Sequence, residues 1–249
     1  VGDPFQLPSV APGALLRDLL RCSDIPRVRL NKIYRQNGGS IVRNANLIRR
    51  GNISITQDAS FCVKHYNIQD VVRQFMTLWD IQNPPVIITA LNRTVATLNH
   101  FIHAQFHKTG PFIPVRFYGY AKQWNIYIGD RMMNMVNMRT DDAYVANGTI
   151  GTVSGFTKER YVIMRFGEST VTYTEPQKSL RPCYAITVHK SQGSEYDNVL
   201  CVVEPTQLMH RRTLYTAITR AKKTCTVYET PNAMRKAIRE QAPERTTML

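Results

Sequence analysis

The chain has 249 residues, 43% hydrophobic and 20% charged, a composition that folds around a sizeable core and excludes a disordered polymer. No apolar run approaches the roughly 18 residues that span a bilayer, and the start shows no signal-peptide pattern. The net charge of +14 points instead to polyanionic partners, nucleic acid first among them.

In chain order, "PGALLRDLLRC" (12–22) predicts a helix with its leucines on one face. "SIVRNANLIRRG" predicts a second, with Ser40 as N-cap, Ile41, Ala45 and Ile48 on the apolar face and Gly51 as the stop. "FCVKHY" (61–66) reads as a strand, "QDVVRQFMTLWD" (69–80) as a helix and "PVIITA" (85–90) as a buried strand; a long helix follows over 92–108. After the middle of the chain come strands at 183–188, 198–203 and 225–229, with helices near 210–220 and 231–241. Apolar strands alternating with helices predict an α/β fold with a parallel sheet covered on both faces.

Residues 113–178 break that rhythm with short alternating runs, an Asn147-Gly148 hairpin turn and no helical window, which predicts a small inserted antiparallel barrel. The Met-rich "RMMNMVNM" (131–138) alternates as a strand of that barrel would. Basic residues exceed acidic ones by 7 over 1–112, by 2 over 113–178 and by 5 over 179–249, so the charge belongs to the outer segments. The five cysteines are scattered, without a Cys-x-x-Cys; Cys62, Cys201 and Cys225 lie in β-like runs and read as buried reduced thiols of a reducing, intracellular compartment.

Residues just after parallel strands meet ligands. "GDPFQLP" (2–8) offers a glycine for close backbone approach and Gln6 to orient a water or touch a phosphate. "YRQ" (34–36) sets Arg35 after an apolar run, "TVHKSQGSE" (187–195) packs hydroxyl, imidazole, ammonium and amide groups into a turn, and "YTAITRAKK" (215–223) puts Arg220 on a helix. His100, His103 and His107 share helical spacing but have no acidic or cysteine companion in sequence, so no metal site is expected. Glu195 with His189 forms no hydrolase triad, because no strained nucleophile turn such as Gly-x-Ser-x-Gly is present.

The order "GDPFQLPSV", "IYRQ", "TALNRT", "TVHKSQGSE", "LYTAITRAKK" resembles the third to sixth conserved motifs of superfamily 1 helicases, most closely the RecD/TraA branch, over nearly the whole chain. The resemblance implies the C-terminal portion of an ATP-dependent 5′→3′ DNA helicase. Residues 1–28 would be the remnant of a first RecA-like domain, 29–112 and 179–249 a second, and 113–178 an inserted SH3-like barrel. It implies ATP with Mg²⁺ as cofactor, the phosphate loop and Mg²⁺ ligands lying before Val1, since Gly-Lys-Ser/Thr occurs nowhere in the sequence. Alone, the 249 residues should therefore hydrolyse no ATP. Gln6 would sense the γ-phosphate, with Arg35 and Arg220 as arginine fingers. Glu195 would meet the ribose and Tyr34 the base, and Gly2, Asp3 and Gly193 complete the nucleotide-binding set. Thr89, Arg93, Thr187, His189, Lys190 and Ser191 would form the DNA-binding set, with Gln192 and Gly193 shaping their loop. The implied partners are single-stranded DNA, the duplex junction and helicase–nuclease, replication or repair proteins, with no membrane. A non-catalytic nucleic-acid-binding module and a viral-type RNA helicase stay open as alternatives.

Overall fold

A computed structural model describes residues 2–8, 13–28, 39–106, 109–120, 123–140 and 143–242. The chain divides into two compact units, Val1–Leu91 with Thr187–Leu249, and Asn92–Ile186.

The first unit begins with α1 (Leu15–Arg21), α2 (Gly39–Arg49), β1 (Phe61–His65), α3 (Ile68–Thr77) and β2 (Val86–Thr89). The chain then enters the second unit through α4 (Asn92–Gln105), β3 (Phe112–Val115), β4 (Trp124–Tyr127), β5 (Arg131–Asn134), β6 (Met138–Arg139) and β7 (Tyr144–Val145). It continues there with β8 (Ile150–Phe156), β9 (Val162–Phe166), β10 (Ser169–Tyr173), α5 (Pro176–Ser179) and β11 (Leu180–Pro182). Strand β12 (Ala185–Thr187) leads back to the first unit, which closes with β13 (Tyr196–Val203), α6 (Arg211–Ile218), β14 (Ala221–Glu229) and α7 (Ala233–Arg239).

The expected parallel sheet is present, in the order β1-β14-β13-β2-β12. Its pairs β1–β14, β14–β13 and β13–β2 are all parallel, with Val199 opposite Val86 and Cys225. The two central strands are apolar on both faces, as crossover helices require: Val86–Ile88 and Val199–Val203 are fully buried. Helix α3 starts where the Asn67 side chain accepts from Gln69 N–H, and it buries Val71, Val72 and Phe75 against that sheet's layer of apolar side chains. Helix α2 buries Ile41, Ala45 and Ile48 as its spacing predicts.

Several local expectations are corrected. Ser40 does not cap α2; it lies inside the helix, and its hydroxyl donates to Asp58 Oδ2 at 2.6 Å. Helix α1 forms, but none of its residues is buried, and Leu15, Leu19 and Leu20 are exposed. Cys183 and Tyr184 stay out of strand β12: the Cys183 N–H donates to Arg131 O at 3.1 Å and the Tyr184 N–H to the buried Asn99 Oδ1 at 2.9 Å, which also takes the Ala185 N–H at 2.8 Å. Strand β14 starts four residues early, at Ala221, its backbone pairing with Tyr196 while Lys222 and Lys223 point to solvent. Arg220 therefore sits in the turn after α6 and not on the helix.

The second unit holds the antiparallel sheet β10-β9-β8-β5-β11 and two two-stranded ribbons, β3–β4 and β6–β7. Gly151 on β8 is obligatory for close packing: a Cβ there would stand 2.5 Å from Arg165 O. Strand β5 does not alternate, since all four of its residues are buried, including Met132 and Met133. Asn147-Gly148 forms the expected turn, with Gly148 at φ +91, but it closes no hairpin because β7 pairs with β6 and β8 pairs with β5 and β9. A single helical turn, α5, interrupts the otherwise strand-only pattern.

Candidate functional site

Leu7 anchors the 2–8 segment in the first unit: its N–H donates to Thr216 Oγ1 at 2.9 Å and its carbonyl accepts from Gln192 Nε2 at 2.8 Å. This brings "GDPFQLP" against both α6 and the 187–195 loop. Within the segment, Asp3 folds the turn by accepting from Phe5 N–H at 2.9 Å and Gln6 Nε2 at 3.2 Å. Gln6 is thereby held with its carbonyl oxygen facing Arg220 Nη2 at 2.9 Å. The Arg220 guanidinium is 3% exposed and also donates to Thr216 O and Ser194 O, both at 3.1 Å. Tyr215 completes the cluster by donating to Asp3 Oδ2 at 3.0 Å, and burial followed by the Asp3 carboxylate pushes its phenol up to about 12.

The cluster joins three stretches separated by up to 214 residues: 2–8, 191–195 and 215–220. Its chemistry is that of a planar cationic fork whose acceptors here include an amide oxygen and two carbonyls. A phosphoryl oxygen is a stronger acceptor for such a fork, so the donor set suits an anion.

The 187–195 loop follows β12 as a series of tight turns. Lys190 N–H donates to Thr187 Oγ1 at 3.3 Å and Ser191 N–H to Thr187 O at 3.1 Å. Ser191 is fully buried and its hydroxyl donates to Val188 O at 2.7 Å, so it holds the loop and presents nothing to solvent. Gly193 takes φ +82 with open space where a Cβ would stand, a backbone state that disfavours any side chain there. His189 is exposed, while Lys190 is half-buried. Glu195 is exposed and lies 3.9 Å from Lys222 Nζ.

Thr89 ends β2 with its carbonyl accepting from Val188 N–H at 3.0 Å; its hydroxyl is buried and has no hydrogen-bond partner among the described residues. Arg93 is exposed in the first turn of α4, in the second unit. Gly2 is exposed, and a Cβ on it would meet Leu16 Cδ2 at 2.7 Å. Tyr34 and Arg35 lie outside the described residues, as does His107. His103 does have an acidic companion, contrary to the sequence reading: Asp130, 27 residues on, accepts from it at 3.2 Å. Spacing along one helix could not show a partner delivered by the turn before β5. The sequence also passed over Tyr215 and Thr216, although both stand inside the quoted "YTAITRAKK"; a hydroxyl at each of two adjacent positions before the arginine was the available signal.

The sequence matches the UvrD-like helicase C-terminal domain over residues 182–228 and an AAA domain over residues 1–96. The RecBCD enzyme subunit RecD of Mycolicibacterium smegmatis is 27% identical across 97% of this chain and 47% of its own length. The ATP-dependent RecD2 DNA helicase of Deinococcus radiodurans is 26% identical across 89% of this chain and 31% of its own. A probable conjugal transfer protein TraA of Sinorhizobium fredii is 26% identical across 92% and 21%. The chain thus spans about half or less of the length of these relatives. In fold it is similar to the Pif1 helicase from Bacteroides, solved in complex with ADP-AlF3 and single-stranded DNA, with a TM-score of 0.62, 18% identity and coverage of 96% of this chain and 63% of that one. With three of the motif stretches gathered around Arg220 and relatives matched along nearly its whole length, the chain is similar to the RecD-like superfamily 1 helicases.

Proposed function

We propose that the chain is the C-terminal motor portion of an ATP-dependent helicase that moves 5′→3′ on single-stranded DNA. The observation that carries this reading is the 2.9 Å contact between Gln6 and Arg220. It couples a glutamine in the turn of the 2–8 segment to a buried arginine through groups that a γ-phosphate could replace.

On this reading Arg220 and Arg35 are arginine fingers that neutralise charge developing during phosphoryl transfer. Gln6 senses the γ-phosphate, and exchange of its contact with Arg220 signals the nucleotide state. Glu195 receives the ribose, Tyr34 lies by the base, and Gly2, Asp3 and Gly193 shape the nucleotide's approach. Bound ATP with Mg²⁺ would supply the transferable phosphoryl group. These residues would hold its γ-phosphate side, and a preceding domain its phosphate cradle and Mg²⁺ ligands. Thr187, His189 and Lys190 contact the DNA backbone, with Arg93 and, from the end of β2, Thr89 as further members of the set, while the buried Ser191 holds their loop. Residues 1–28 belong to a first RecA-like domain, 29–112 and 179–249 to a second, and 113–178 to an SH3-like insert. The protein works inside the cell at a duplex junction, alone or with nuclease, replication or repair proteins. Among the described residues no helix is long and apolar enough to cross a membrane.

Unwinding by the full-length protein tests the reading: a DNA duplex with a 5′ overhang should be opened, and one with only a 3′ overhang should not. Efficient opening from a 3′ overhang would overturn the polarity, and a preference for RNA duplexes would favour the viral-type alternative. The 249-residue chain by itself should bind single-stranded DNA yet turn over no ATP above background.

A further inference from the structure

The β3–β4 ribbon of the second unit has two faces of opposite character. Its register pairs Ile113 with Ile126 and Val115 with Trp124, and these side chains, with Phe117, are buried. The alternate positions pair Phe112 with Tyr127 and Pro114 with Asn125, and they share the other face because side chains on a strand alternate. Beyond the paired residues Arg116, Tyr118 in the turn after β3, and Gln123 just before β4 are exposed, Tyr118 at 90%. The Phe112 and Tyr127 rings lie with centroids 5.4 Å apart, and Arg160 Nη2 donates to Phe112 O at 3.2 Å, bringing a second guanidinium to that end. Residues 112–127 contain no Asp or Glu.

Folding gains nothing from a ring held 90% in water, and the inner face already supplies the apolar packing. Rings, an arginine and side-chain amides, on a ribbon that contributes no carboxylate of its own, are the components of a surface on which unpaired bases stack. We propose that the outer face of this ribbon is a single-stranded nucleic-acid platform: Phe112, Tyr127 and Tyr118 stack bases, Arg116 meets a phosphate, and Gln123 and Asn125 offer amides to base edges. None of these residues is among those assigned to DNA above. It rests on the reading of the chain as a single-strand binder and adds where, and by which chemistry, bases themselves are held. Stacking is tolerant of sequence, so the platform suits a protein that travels along DNA.

Stacking needs bases and not only phosphates, which sets the experiment. The 249-residue chain is titrated with a short oligothymidylate and with an abasic strand of equal length, over a series of salt concentrations. The intact chain should bind the oligothymidylate about tenfold or more tightly than the abasic strand. Phe112→Ala with Tyr118→Ala should erase that preference and leave the log–log salt slope unchanged. Tyr118→Phe should keep it. Arg116→Gln should lower the slope by about 0.7 and leave the base preference intact. Since Tyr118 is 90% exposed and Phe112 loses only its contact with Tyr127, the double variant should still unfold cooperatively, with a midpoint within about 4–8 °C of the parent. A preference that survives in the double variant overturns the platform, as does self-association abolished by the same substitutions with base preference unaltered. Absence of binding to either strand by the intact chain would instead sink the single-strand reading on which the proposal stands.

Discussion

Each unit buries a polar cluster, and the two are built for opposite ends. In the first, Arg220 is fixed by a glutamine amide and two carbonyls, from a loop, a turn and the last turn of α6. In the second, Asn99 donates to Pro182 O, Ala185 O and the Tyr120 hydroxyl while accepting from two backbone amides. Beside it the fully buried Asp130 accepts from Tyr184 OH at 3.0 Å, Tyr127 N–H at 2.9 Å and His103 at 3.2 Å. There the partners come from α4, β4, β11, β12 and the residues next to strands, all packed in one core, so exchange requires opening it. The first cluster draws on segments whose partners can be replaced one at a time. A buried polar group thus locks a structure when core elements enclose it and stays convertible when loops do.

The largest expected effect lies in the convertible cluster. Arg220→Ala in the full-length protein should cut kcat for ATP by about 10³-fold or more, with a much smaller change in ATP affinity. Lysine should not restore it, lacking the planar fork. Near-normal turnover in steady-state kinetics would remove Arg220 from the transition state.

Next comes the locked cluster. Asn99→Ala should destabilise the second unit by about 3 kcal/mol in urea unfolding, since it strands several buried amides and carbonyls at once. The salt slope of DNA binding should not move. A loss below about 1 kcal/mol would mean that water or rearrangement replaces the asparagine and that the two clusters differ less than they look.

Alkali should erode both units. Burial pushes Tyr120, Tyr173, Tyr215 and Tyr228 each up to about 12. A phenol that holds its proton more tightly when folded contributes fully below the unfolded value of about 10, and that contribution is lost as pH climbs through about 12. Denaturation midpoints should therefore stay level up to about pH 10 and then fall, and Tyr215→Phe should blunt the fall in the first unit only. The smallest effect is Lys190→Ala, which should reduce the salt slope by less than about one unit and leave folding unchanged.

Much of the first unit was legible because its signals are local. Fully apolar runs such as Val86–Ile88 and Val199–Val203 can only be covered strands, and Ile41, Ala45 and Ile48 repeat at the period of a helix face. Gln6 and Arg220 could each be singled out, since their chemistry is visible in the residue itself. Their contact could not: no local rule sets residue 6 against residue 220. The same blindness hid Asn99, which looks like one more polar residue in α4 until its side chain is seen doing the work of a strand neighbour for Tyr184 and Ala185. Alternation misled at Met132 and Met133 for a related reason, because a strand covered on both sides has no wet face to show. The exposure of α1 was likewise unreadable, since leucines at helical spacing announce an apolar face and not what lies against it.

The thiols carry a consequence for measurement. Cys183 in the second unit and Cys201 and Cys225 in the first are at most 1% exposed, and burial raises Cys183 to about 11, Cys201 to about 12 and Cys225 well above its ordinary value. Cys22 is exposed and Cys62 half-exposed. An alkylating reagent at neutral pH should therefore tag Cys22 first, then Cys62, and reach the other three only through opening of the surrounding structure. Each unit thus contains its own molecular stopwatch: the tagging rate of Cys183 times excursions of one, and those of Cys201 and Cys225 time excursions of the other, read peptide by peptide in a mass spectrometer.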